Sequence, residues 1–304
     1  MTSVGRIMGF VLLFLASKHK NDCLLLSPSL KLETIIKEKS PRDIMIEANK
    51  FFDESECSFK QEADIPNRKW NYYLECPSHY HNFITNCLAQ KKRFILMSLG
   101  LYYNIEDIND RVMKYYHGRR YTHKSPVHRI AHANFLIYDS KNFTLERFDP
   151  YGDFSSPPPD GNIDKTILQY FQSILKIKKY YKPLDFCPRF SFQTLEEIER
   201  RVHLKNFDRK GMCLMWSFLY ADFRMSYPNI DPSQLVNSLI QRYLPKRELK
   251  SKEEYKKLIR EKKKTPFVNF IVSYLNFIFS LIKDLEQSKN PKETLQYYVN
   301  LFNG

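Results

Sequence analysis

One stretch of the chain is apolar almost without interruption. Between 214 and 223 the residues Leu214, Met215, Trp216, Phe218, Leu219, Tyr220 and Phe223 leave polar groups only at Ser217 and Asp222. A helix apolar on nearly every face belongs in the middle of a core. The polar run Asp208-Arg-Lys-Gly211 comes just before it, so Cys213 falls where a loop meets the N-terminus of a buried helix. A second apolar run, Ala131-His132-Ala-Asn-Phe-Leu-Ile-Tyr138, predicts a central strand with both faces covered. Asp139-Ser-Lys-Asn142 supplies a turn, and Phe143 to Phe148 alternates as a second strand. The sequence Asp149-Pro150-Tyr-Gly152 ends that strand, which places His132 and Asp149 at the same edge of an antiparallel pair.

Helical periods dominate elsewhere. Ile163, Ile167, Leu168, Phe171, Ile174 and Leu175 predict an amphipathic helix over 163–181, and Asp231-Pro232 opens another that runs to about Tyr243. Thr265-Pro266 reads as a capped start with a first-turn proline. The apolar run that follows, to Ile282, carries Asn269, Ser273, Asn276 and Ser280 along one stripe. That stripe predicts a helix packed on the body rather than a transmembrane span. Residues 21–89 read as helical with loops, with a start at Ser40-Pro41-Arg42-Asp43. In residues 1–20, Arg6 precedes the apolar run Ile7 to Ala16, which fits either a short signal peptide or a packing helix. The expected organisation is therefore an apolar segment 1–20, a helical extension 21–89 and an α+β domain 90–304.

Composition adds charge and thiols to this picture. The formal net charge is +14, and residues 246–264 alone hold ten Lys/Arg against four Glu. A nucleic-acid partner and a solvated helical face both fit that run. The six cysteines stand far apart in a long chain, unlike a small disulfide scaffold, so reduced thiols are expected. Cys76-Pro-Ser-His79-Tyr-His81, with Cys87 beyond, fits no common zinc spacing, and neither a metal nor a cofactor is expected. Three histidines (His117, His123 and His128) crowd one loop, and Asn142-Phe-Thr144 is a glycosylation sequon. The compartment expected from reduced thiols is cytoplasmic, with residues 1–20 leaving secretion open.

The chemistry lies in four residues. Cys213 sits at a helix N-terminus, where the macrodipole favours the thiolate. His132 would act as its base, and Asp149 would fix the imidazole tautomer, with Glu146 as an alternative acid. The order His132, Asp149, Gln193, Cys213 resembles the adenovirus-proteinase and SUMO-deconjugating (Ulp-type) group of cysteine proteases. The resemblance rests on three stretches. They are His132 heading Ala-Asn-Phe-Leu-Ile-Tyr-Asp139, Glu146-Arg-Phe-Asp149-Pro-Tyr-Gly152, and Gly211-Met-Cys213-Leu-Met-Trp-Ser-Phe-Leu-Tyr220. It departs at Ala133, where the group has Trp, at Leu214, where Gly is frequent, and at Gln193, twenty residues before Cys213 instead of about six.

The resemblance implies a papain-like fold, with a mixed or antiparallel sheet around a buried nucleophile helix. It implies acyl transfer on a protein substrate, a polyprotein or a ubiquitin-like conjugate, with Gln193 at the oxyanion. Two other readings use the same scaffold. The basic 246–264 segment would suit a nucleic-acid-binding protein, and Ala133 would suit an inactive papain-like interaction module.

Overall fold

The structure is a computed structural model that describes residues 4–24, 56–64, 69–104, 129–152, 162–187, 191–203, 212–244, 251–262 and 265–303, together with 43 and 46. Residues 40–42 of the expected helix start and the three-histidine loop lie outside the described residues.

A six-stranded mixed sheet runs through the molecule. Its strands are β1 (Cys57–Asp64), β2 (Lys69–Glu75), β3 (Phe94–Asn104), β4 (Arg129–Asp139), β5 (Thr144–Phe148) and β6 (Lys179–Tyr181), in the spatial order β2-β1-β3-β4-β5-β6. The central pairs β3–β4 and β4–β5 are antiparallel, while β1–β3 and β5–β6 are parallel. The expected hairpin is β4–β5, closed by a turn in which Phe143 takes φ 56°. Asp139 accepts the backbone N–H groups of Lys141 and Asn142 and one from the exposed Asn142 amide, so it satisfies the turn from beneath.

Ten helices among the described residues cover this sheet. In chain order they are α1 (Val4–Lys18), α2 (Tyr80–Ala89), α3 (Asn162–Gln172), α4 (Pro183–Phe186), α5 (Phe192–His203), α6 (Met212–Ser226), α7 (Pro232–Gln241), α8 (Lys252–Lys262), α9 (Pro266–Gln287) and α10 (Pro291–Asn303). The near-continuous apolar run folds as α6, and twelve of its fifteen residues are buried. It lies on the face of the sheet that carries Phe135, Glu146 and Phe148: Phe135 meets Phe218 edge-on, and Phe148 stacks on Tyr220 at 4.0 Å. The opposite face of β4 and β5 is met by α3 through Arg147 and Asp164.

Three expectations need correction. Residues 21–89 are not a helical extension: Cys57–Asp64 and Lys69–Glu75 are strands of the common sheet. In β1 the residues Cys57 and Phe59 are buried while Ser58 and Lys60 are part-exposed, and the strand pairs with β2 on one edge and β3 on the other. The helix predicted over 163–181 ends at Gln172, and Lys179–Tyr181 turns into an edge strand beside β5.

The cysteines also differ from expectation. Disulfides join Cys23 to Cys87 and Cys57 to Cys76, which removes Cys76 and Cys87 from any zinc site. No group of three metal-ligating side chains occurs among the described residues. Tertiary pairing brings together cysteines 64 and 19 residues apart, a proximity that spacing along the chain does not reveal.

The two apolar helices at opposite ends of the chain pack on each other. In α1 the run Phe10 to Leu15 is buried, and the Phe14 ring meets Phe277 and Phe302 edge-on. The buried Asp222 of α6 accepts hydrogen bonds from Lys18 Nζ at 2.8 Å and meets His19 Nε2 at 2.6 Å. Helix α9 is long and apolar enough to cross a membrane. Its Phe267, Ile271, Tyr274, Ile278, Leu281 and Leu285 are nonetheless buried, and the stripe Asn269, Ser273, Asn276 and Ser280 is exposed.

Candidate functional site

The β4–β5 hairpin and the start of α6 converge at one point. His132 lies on β4 two residues before Asn134, so by strand alternation both share the face that carries Arg147 of β5. Asp149 follows β5 immediately, on a turn closed by Gly152 N–H donating to the Asp149 carbonyl. Gly152 has φ 85°, a conformation a side chain would resist. Asp149 Oδ1 lies 2.9 Å from His132 Nε2 and accepts the Tyr151 backbone N–H at 2.9 Å.

The imidazole turns Nε2 to Asp149, and its ring also hydrogen-bonds with the Cys213 thiol. Cys213 is the second residue of α6 and half-buried, and backbone groups of Ala133 and Leu214 also approach its sulfur. Burial alone would hold the thiol high, but the His132 hydrogen bond and charge outweigh it and the thiol's pKa is lowered. Burial likewise works against an imidazolium at His132. The adjacent Asp149 carboxylate overrides it, and the His132 pKa is pushed up to about 10. At neutral pH these shifts favour a thiolate–imidazolium ion pair, the state in which a cysteine attacks electrophiles.

The structure therefore brings together Cys213, His132 and Asp149. Glu146, the alternative acid, points to the other face of the sheet. There it accepts from Arg224 Nε at 2.9 and 3.0 Å and from the Tyr220 hydroxyl at 3.0 Å, so it does not serve His132. Gln193 stands in the first turn of α5, buried, with its N–H on the Pro150 carbonyl and its side-chain oxygen without a partner among the described residues.

Sequence reasoning missed several members of this site. Tyr151 lays its ring 5.1 Å from that of His132 and donates its hydroxyl to Glu197 of α5. Behind Asp149, Arg147 brings NH1 to 3.7 Å from Oδ2, donates NH1 to Asn134 Oδ1 at 2.8 Å, and forks onto Asp164 through Nε and NH2 at 2.7 and 3.0 Å. The one signal for Arg147 was its inward register on an alternating strand, where an arginine needs a buried anion.

Comparison with known proteins bears on the expected family. No protein-family model matches the chain, and no solved structure matches it. Among curated proteins, a putative ankyrin repeat protein of Acanthamoeba polyphaga mimivirus is 34% identical over 119 residues, 36% of this chain. The chain spans 16% of that relative's length. These findings overturn the resemblance to the adenovirus-proteinase and SUMO-deconjugating group, and with it the reading of the chain as a peptide- or isopeptide-cleaving enzyme. The matching relative is named for ankyrin repeats and not for a protease, and the motifs that carried the resemblance are short.

Proposed function

We propose that this chain is a protein-interaction module built on a papain-like scaffold. The observation that carries this reading is the 34% identity over 119 residues to a protein named for ankyrin repeats. The six-stranded sheet with α6 buried against one face supplies a rigid body on which a binding surface stays in place. The test is reconstitution. A protein recovered with the full chain from cells is purified, mixed with the chain, and the complex is measured by calorimetry and sedimentation. A saturable complex of fixed stoichiometry is expected. A chain that forms no such complex with any purified candidate overturns the reading.

A second reading is favoured by the contacts of Cys213 with His132 and of His132 with Asp149. On this reading the module carries a reactive thiolate at its surface, available to an electrophilic group of whatever it binds. Alkylation of Cys213 followed against pH tests it: an apparent pKa below the usual value of about 8.5 is expected, and an ordinary thiol profile refutes it.

A further inference from the structure

We propose that Arg147, braced by Asp164, is a positioning residue that holds Asp149 against His132 and so keeps Cys213 in its thiolate form. The proposal rests on the reactive-thiol reading above and extends it from the surface of the molecule into its interior. Arg147 and Asp149 are both fully buried, and Asp149 divides its carboxylate between two cations. Oδ1 meets His132 Nε2 at 2.9 Å, and Oδ2 lies 3.7 Å from Arg147 NH1. The guanidinium cannot turn away, because its Nε and NH2 are clamped by both oxygens of Asp164 on α3, and NH1 itself also donates to Asn134 of β4. A fork held by bidentate contact is a fixed point from which the neighbouring carboxylate takes its orientation.

Charge counting gives the direction of the effect. Along this path two cations, Arg147 and His132, face three anions: Asp164, Asp149 and the Cys213 thiolate. The other ionisable groups nearby are already engaged. The Tyr180 hydroxyl donates to Asp164 at 2.6 Å and Tyr151 donates to Glu197, while Glu197 pairs with Arg201 and Glu196 with Arg200. Neutralising Arg147 leaves one cation against three anions in a buried setting. The excess is relieved by taking up a proton, and of the three anions the thiolate is the most basic. Neutralising Asp164 does the opposite and leaves two cations against two anions.

Two substitutions in one network thus predict displacements of opposite sign, which loss of packing does not produce. The experiment measures iodoacetamide alkylation of Cys213 by mass spectrometry of its peptide, across pH 5 to 10, in the full chain. In Arg147→Gln the midpoint of the thiol's titration is expected to move about one pH unit higher, with up to tenfold less thiolate at neutral pH. In Asp164→Asn it is expected to fall. Arg147→Lys keeps the charge and loses the fork, and should lie between wild type and Arg147→Gln. A wild-type thiol of ordinary pKa overturns this proposal together with the reactive-thiol reading. A depressed wild-type pKa that stays put in both charge variants, or moves the same way in both, overturns this proposal alone. Should Arg147→Gln fail to fold, the downward movement in Asp164→Asn, at the partly exposed end of the clamp, decides the matter by itself.

Discussion

Glu199 makes the stability of this protein fall as pH rises. Its carboxylate is fully buried beneath the start of α9, where it accepts the Phe267 N–H at 3.1 Å, the Val268 N–H at 2.8 Å and the Tyr255 hydroxyl. Burial pushes its pKa up to about 7, against the opposing pull of those donors. The folded state therefore holds a proton that the unfolded chain, near the ordinary value of about 4.3, has released. Stability is fully present below the unfolded pKa and is lost as pH rises through the folded one. A tenfold change in proton affinity between the folded and unfolded chain is worth about 1.4 kcal/mol, so this one group weakens the fold by about 3 kcal/mol between pH 5 and 8.

Glu199→Gln keeps an oxygen for the backbone donors and cannot ionise, so it lacks this slope. Urea denaturation of wild type and variant at pH 5, 6, 7 and 8 isolates the effect. Raised carboxyls shared by both proteins, Glu146, Glu196 and Asp22, cancel in the difference. Relative to wild type, the variant should gain about 3 kcal/mol on going from pH 5 to 8. A difference that stays constant across that range refutes the assignment of the proton to Glu199.

Three further outcomes follow from contacts already described. Arg224→Met strands the buried Glu146 carboxylate and should cost about 3–5 kcal/mol in denaturant titration, with Glu146→Gln in the same chain recovering part of it. Phe148→Ala removes a ring stacked on Tyr220 in the centre of the core, and a loss of about 3–5 kcal/mol is expected by the same assay. Replacing Cys57 and Cys76 together by Ser (Cys57→Ser with Cys76→Ser) opens a bridge across a 19-residue separation and should lower stability by about 3 kcal/mol, read in urea against wild type with Cys23–Cys87 oxidised in both.

How far the sequence foretold this molecule depended on how local each signal was. Helix α6 was legible because its apolar residues cover every face, and β4–β5 because two strands are joined by a short turn. The meeting of Cys213, His132 and Asp149 followed from those two elements alone. Strands β1 and β2 were missed because Lys69–Glu75 has no strict two-residue alternation to announce its pairing with β1, and the other edge of β1 is covered by β3, more than thirty residues on in sequence. The cap of α9 was misread for a similar reason. Thr265 donates to Asn269 and makes no cap, and the first-turn donors of the helix go to Glu199, whose nearness depends on how α5 docks. Arg147 and Tyr151 escaped notice because their roles lie in partners on α3 and α5, which no spacing within 146–152 discloses.

The docking of α1 on α10 ties residues 4–18 to residues 291–303. During synthesis the Phe10–Leu15 segment emerges long before the aromatic neighbours of Phe14, Phe277 and Phe302. Until those rings arrive, the apolar strip lacks part of its cover. Shortening the chain before residue 291 would leave Phe14 permanently without part of its cover, and a protein trimmed there should clump rather than merely loosen.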